Sequence, residues 1–235
     1  MTSNVMFYGK IVALNRDVHR DFVVDTGAER FGFARSAHVV PAIVQEFGAA
    51  AAHLPIVFLP GGTAPVAVFL VGLRAGHNAC IDAEGRWIGD YVPAFLRRYP
   101  LIYGEVAGAD AVVCIDETCR AAEGEGERLF TETGEDTPML VERIRLMNEY
   151  FVGAKTNDRF VAMLSELGLL QAVTIDARFE SGESQALHGF MTVDEKRLAE
   201  LSDEDVLRLH RAGFLGPIHA HLCSLGSLDR VRRLS

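Results

Sequence analysis

The sequence predicts an α+β fold: a mainly antiparallel sheet with packed helices and a helix-rich C-terminal half. Three observations carry that expectation. Compact apolar runs bounded by turn residues, "PIVFLPGG", "PVAVFLVGL" and "NACIDAEG", fill residues 55–85. They are joined by Gly61-Gly62-Thr63-Ala64 and Arg74-Ala75-Gly76-His77, connections that suit antiparallel neighbours and are too short for a parallel crossover. Beyond Thr137, apolar residues recur at helical spacing.

The elements follow in chain order. "KIVAL" (10–14) reads as a short strand. Residues 37–52 carry Val40, Ile43, Val44 and Phe47 at helical spacing. After the apolar runs, "GRWIGDYVPAFLRRYP" (85–100) holds the lone tryptophan, an arginine pair and two prolines. Asp90 reads there as a helix N-cap, with Pro93 in the first turn, where a missing N–H costs nothing. Tyr91, Phe95 and Tyr99 fall at i, i+4 and i+8, one stripe of a short helix that Pro100 stops. Arg97 and Arg98 are expected to point away from that stripe, outward into water. "DAVVCID" (110–116) is a further strand, leading into the loop-like "ETCRAAEGEGER", where a division of the single unit 1–235 near 118–130 is expected.

Thr137 and Pro138 are a helix N-cap and first helical residue. Leu140, Ile144, Met147 and Phe151 form the inward stripe of that helix. A break is expected near Gly153, then a second helix from about Thr156 with Phe160, Leu164 and Leu167 inward and Gly168 as its stop. "VTIDARF" and "LHGFMTVD" read as a strand pair around "ESGES". Two short helices follow, "EKRLAEL" and, capped by Ser202, "DEDVLRLHRAG", and a last one runs from Gly216-Pro217 through "IHAHLCSL".

Composition narrows the function classes. The chain has 235 residues, 49% of them apolar, and a formal net charge of −9; that charge disfavours a nucleic-acid binder or a peripheral protein of anionic lipid surfaces. "APVAVFLVGL" (64–73) is too short to span a bilayer as a helix. "MTSNVMFYGK" has no basic start, apolar stretch or cleavage site, so the cytoplasm is the expected address, with export by a leaderless route left open. Cys80, Cys114, Cys119 and Cys223 lack paired spacing and read as buried free thiols.

No phosphate loop, dinucleotide fingerprint, zinc-protease helix or nucleophile elbow occurs in the sequence. Glu123, Glu125 and Glu127 would repel a phosphate from the glycine-rich loop. His219 and His221 lie two residues apart on an expected helix and so face opposite ways, leaving His219 with Cys223 as the conceivable ligand pair. Asp82, Asp116, Asp176 and Asp194 close apolar runs, where aspartate commonly serves a turn. Two readings result. In the first, Trp87, Tyr91, Arg97, Arg98 and Tyr99 form a binding patch for a carboxylate or peptide, since arginine offers a planar fork, and no cofactor is expected. In the second, an enzyme draws on Asp82, Asp116, His188, His219 and His221, with a metal as an option.

"PIVF", "VAVFLVGL", "NACID" and "W-x3-YVPAFLRRYP", followed by "LFTETGEDTP", "LHGFMTVDEKRLAELSDEDVLRL" and "IHAHLCSL", resemble the blocks of the bacterial SapC family in the same order. An unrelated peptide-transport permease shares the name and is set aside by the absence of membrane spans. The resemblance implies an accessory role in a surface-layer (S-layer) system, with outer-membrane receptor and flavin-dependent halogenase genes as neighbours. It carries over no catalytic residue, and it implies a protein or peptide partner.

Overall fold

The computed structural model describes residues 5–25, 31–62, 64–104, 111–121, 126–179 and 182–235. Among them, ten strands form three antiparallel sheets accompanied by helices, the α+β class the sequence predicts. The strands are β1 (Ile11–Ala13), β2 (Val23–Val24), β3 (Val39–Pro41), β4 (Ile56–Leu59), β5 (Val66–Leu70), β6 (Leu101–Gly104), β7 (Val112–Asp116), β8 (Glu127–Arg128), β9 (Leu170–Arg178) and β10 (Ser184–Val193). The helices are α1 (Phe47–Ala50), α2 (Ala94–Arg97), α3 (Pro138–Glu166), α4 (Glu195–Ala199), α5 (Asp203–Ala212), α6 (Leu215–Ser224) and α7 (Leu228–Leu234). The expected division near 118–130 falls partly on residues 122–125, outside the described residues. No helix among the described residues is long and apolar enough to cross a membrane.

The main sheet runs β3-β5-β4-β10-β9. Ile56, Phe58, Ala67 and Phe69 point to one core, shared with Phe47, Phe160 and Ile218 of α1, α3 and α6. Val57, Val68 and Leu70 point to the other, shared with Phe190 and Val231. A sheet covered on both faces needs continuous apolar strands rather than alternating ones, which is why "PIVF" and "VAVFL" look as they do. Each fully buried Phe or Leu there contributes about 1.5–3 kcal/mol. The β9–β10 hairpin forms as expected, with its register shifting between Leu187 and Phe190. Gly189 supplies the positive φ of +84° within that shift. A second sheet, β1-β7-β6, and the pair β2-β8 flank the N-terminal half of α3.

Three expectations are corrected. The helical spacing over 37–52 instead yields the edge strand β3, a 3-10 turn at Val44–Glu46 and the single turn α1. Pro41 explains it: proline inside a helix removes a hydrogen bond and clashes, and it holds the preceding Val40 extended. Edge position makes proline tolerable in a strand. "NACIDAEG" forms a turn rather than a strand. The Asp82 carboxylate accepts the N–H groups of Glu84 and Arg86, Gly85 takes φ +89°, and only an isolated bridge joins Ile81 to Trp87.

The third concerns Gly153, where α3 does not break. Leu140 and Met147 lie within about 20° of each other around the helix, whereas Phe160 and Leu164 lie roughly 200–240° from Leu140 at 100° per residue. The first half therefore buries one side against the β1-β7-β6 sheet, and the second half buries nearly the opposite side against the main sheet. The change of face mimics a helix end in the sequence. It also leaves Phe151 exposed, edge-on to Tyr103 at 5.1 Å, instead of inward. Gly153 allows close approach: a Cβ there would sit 2.9 Å from Ile43 Cδ1 and Gln45 Oε1. Gly153→Val should therefore overpack this contact and lower stability by about 1–3 kcal/mol, measured as the shift in urea midpoint at constant m. An unchanged midpoint would contradict the packing role.

Candidate functional site

Short-range chemistry and long-range anchors together shape the 85–100 stretch. α2 begins at Ala94, with Pro93 rather than Asp90 preceding it, so Tyr91 lies outside the helix. Asp90 instead approaches Arg230 and His53. The cap comes from Glu46 on another element: its Oε1 accepts the Ala94 N–H at 2.6 Å and the Tyr91 hydroxyl at 2.7 Å, and lies 3.5 Å from Arg97 Nη2. Glu46 is buried, its Oε2 has no hydrogen-bond partner, and burial raises its pKa above the usual carboxylate range.

The two arginines part company. Arg98 is 7% exposed, with its guanidinium over the rings of Phe95 at 4.3 Å and Tyr150 at 4.8 Å. This corrects the outward placement expected for it. On a single helical turn the step from Arg97 to Arg98 is roughly 100°, enough to swing the second side chain under the helix toward α3. The flanking rings replace lost water with a cation–π contact. Arg97 remains exposed at the surface and donates Nε to the Val92 carbonyl at 2.9 Å.

Beside Arg97 opens a cleft of about 610 Å³. Its apolar wall comes from Phe31 and Phe33 at the 3-10 turn Gly32–Ala34, from Leu96 of α2, and from Met139 and Leu146 of α3. Tyr99 stacks on Phe33 with centroids 4.1 Å apart. The polar side holds Arg35, Arg97 and Arg143. Arg143 donates Nη1 to the carbonyls of Tyr99 at 2.5 Å and Arg97 at 3.4 Å, closing the open end of α2. Its Nε is buried without a partner, and burial weakens its hold on the proton. Arg35 donates to the Ala83 carbonyl at 3.0 Å. Neither Arg35 nor Arg143 has a carboxylate within ion-pair distance among the described residues, whereas Glu84 and Glu142 at the rim are held by Arg86 and Arg145. A second hollow of about 580 Å³, walled by Ile43, Glu46, Tyr91 and Tyr150, shares Arg97 and Leu146 with the first.

Of the sequence-predicted patch, Tyr91, Arg97 and Tyr99 line these two spaces. Trp87 and Arg98 do not. Trp87 is half-buried, edge-on to Phe31 at 5.8 Å, with its indole N–H unpartnered. Sequence reasoning missed Arg35, Arg143 and Glu46. Arg143 sits in a charged helix where arginine reads as solvent-facing; Glu46, a lone acid in the apolar stretch 39–59, was the available signal.

The five Asp and His residues of the enzyme reading are not brought together. Asp82 organises its turn. Asp116 is fully buried at the end of β7 and accepts from the backbone of Gly9, Lys10 and Thr118 and from the Thr118 hydroxyl. His188 is exposed on β10 beside Thr174. On α6, His219 and Cys223 are exposed while His221 is fully buried, bridging two strands. No group of three or more His, Cys, Asp or Glu side chains suited to a metal ion occurs among the described residues. The exposure of Cys223 also corrects the expectation that all four thiols are buried. Cys119 lines the cleft, but burial pushes its thiol up to about 12, Asp116 adding to the rise against Arg143, which leaves little thiolate at neutral pH.

No curated protein and no solved structure matches this chain. The model of the SapC family matches residues 14–231, nearly the whole chain. The chain belongs to the SapC family.

Proposed function

We propose that this SapC-family chain is a binding protein, accessory to a bacterial surface-layer or outer-membrane system, that works from the cytoplasm and holds a protein or peptide partner through the cleft beside Arg97 and Tyr99. One observation carries the reading. Four residues of "YVPAFLRRYP", the family-like stretch, namely Leu96, Arg97, Tyr99 and Pro100, line a cleft in which Glu84 and Glu142 pair with other arginines while Arg35 and Arg143 have no carboxylate within ion-pair distance among the described residues. A cleft of that size, mostly apolar with a few convergent polar groups, has the usual form of a binding site. A binding role is favoured over catalysis because Asp116 and His221 are committed to backbone hydrogen bonds and Cys119 is a high-pKa thiol.

The test is genetic. Deleting the gene should change the set of proteins extracted from the cell surface or outer membrane. The wild-type gene should restore that set, and one encoding Arg97→Ala should not, despite normal protein levels. An unchanged surface and outer-membrane protein profile in the deletion strain would overturn the reading.

A further inference from the structure

We infer that the 610 Å³ cleft recognises a carboxylate carried on an aromatic or branched apolar body, the carboxylate meeting Arg143 and Arg35 and the body lying against Phe31, Phe33 and Leu96. This rests on the cleft being the binding site and names the chemistry it selects.

Charge is the first argument. Arg143 is held largely out of water, and among the described residues its hydrogen-bond partners are carbonyl oxygens; Glu127, whose charge acts on it, lies beyond ion-pair distance. A guanidinium removed from water without a counter-ion is costly, and an incoming carboxylate offsets that cost with charge-assisted, fork-shaped hydrogen bonds. Arg35, which lines the same cleft, also has no carboxylate within ion-pair distance among the described residues. The carboxylates that also line the cleft are engaged: Glu142 with Arg145 at 2.5 Å, Glu84 with Arg86 at 3.3 Å, and Asp25 in an interaction of its own.

Shape is the second argument. The wall beside the guanidinium groups is ring-lined, with Tyr99 locked against Phe33 and Phe33 edge-on to Phe7 at 5.7 Å. Such a wall favours a flat or branched apolar group over a hydrated sugar or a bare inorganic anion. The volume suits a ligand of one or two residues in size. Two sources share this chemistry: the C-terminal residue of a peptide and a free arylalkyl acid.

Calorimetric titration of the full chain distinguishes them. The probes are 3-phenylpropionate against 3-phenylpropionamide, and N-acetyl-Ala-Phe as free acid against its amide. Each acid is expected to bind about tenfold or more tightly than its amide, the ratio expected from a charged hydrogen-bonding partner. A stronger preference in the peptide pair identifies a peptide terminus as the source, and equal preference in both pairs identifies the free acid group itself. Arg143→Gln should abolish the acid preference and Arg35→Gln should reduce it severalfold. Since Arg143 also closes α2, Arg35→Gln keeps the idea testable if Arg143→Gln fails to fold. Equal affinity for acid and amide, or no binding of any of the four probes, would overturn the inference. A clear acid preference with an unaltered surface profile in the deletion strain would instead leave the ligand chemistry standing and remove the accessory role.

Discussion

His221→Ala is expected to lower the stability of the protein by about 4 kcal/mol, from two unpaired buried backbone groups and a side-chain cavity. β4 and β10 pair through one register position, Met191 with Phe58. α6 ties the neighbouring positions instead: His221 Nε2 accepts the Val193 N–H at 3.0 Å, which puts the proton on Nδ1, and Nδ1–H donates to the Ile56 carbonyl at 2.9 Å. Ser224 completes the tie by accepting the Ile56 N–H at 2.8 Å. The imidazole therefore stitches the middle of the main sheet, and equilibrium urea unfolding measures its worth.

The same residue sets a pH dependence. Burial lowers the His221 pKa to about 4, against the small opposing effect of its bond to Ile56. The unfolded chain binds this proton near pH 6.5 and the folded one near 4, so the stabilisation is complete above about 6.5 and is lost as pH falls through that window, by up to about 3 kcal/mol. Glu46 runs the opposite way, because its raised pKa favours the folded state at lower pH. The wild-type-minus-His221→Gln difference, rather than the raw slope, thus isolates the imidazole. A difference that stays flat between pH 6.5 and 4 would refute the buried neutral histidine.

Asp116→Ala is expected to cost about 3–5 kcal/mol, the range for breaking a buried charged network. The carboxylate takes the N–H groups of Gly9 at 2.8 Å and Lys10 at 2.9 Å, fastening the N-terminal segment to β7. It also caps the 3-10 turn Glu117–Cys119 through Thr118 and meets the Tyr99 hydroxyl at 3.3 Å. Burial by itself would raise its pKa, but the donors from Gly9, Lys10 and Thr118 prevail and hold it below the ordinary aspartate value. Its contribution is therefore present above about pH 4 and lost on further acidification. Thermal melts of wild type and Asp116→Asn should differ most at neutral pH and converge in acid. A neutral-pH difference within about 0.5 kcal/mol, the level of an inconsequential surface change, would refute the anchor. Because Tyr99 and Cys119 line the cleft, the variant should also loosen that wall.

How much of this was legible follows from the range of the interactions involved. Thr137-Pro138, Ser202 and Gly168 act within one turn, so the starts of α3 and α5 and the end of α3 were readable from neighbours. The β4–β5 and β9–β10 hairpins were readable too, because short connections leave few alternatives. Val40 was misread because a spacing pattern weighs apolar positions and ignores what Pro41 does to the backbone. Gly153 was misread because a helix that changes partner sheet changes its buried face, and only the partners reveal that.

The sequence by itself determined the class of fold, the two-sided burial of the central strands and the aromatic character of the 85–100 stretch, since these depend on local spacing and apolar content. Tertiary structure alone decided which arginine stays at the surface. Arg97 and Arg98 are chemically identical neighbours, and a rotation of about 100° per helical residue puts one at the mouth of a cleft and the other beneath aromatic rings. The same holds for Arg143 and Glu46, whose roles arise from side chains reaching across elements, a distance no local pattern encodes.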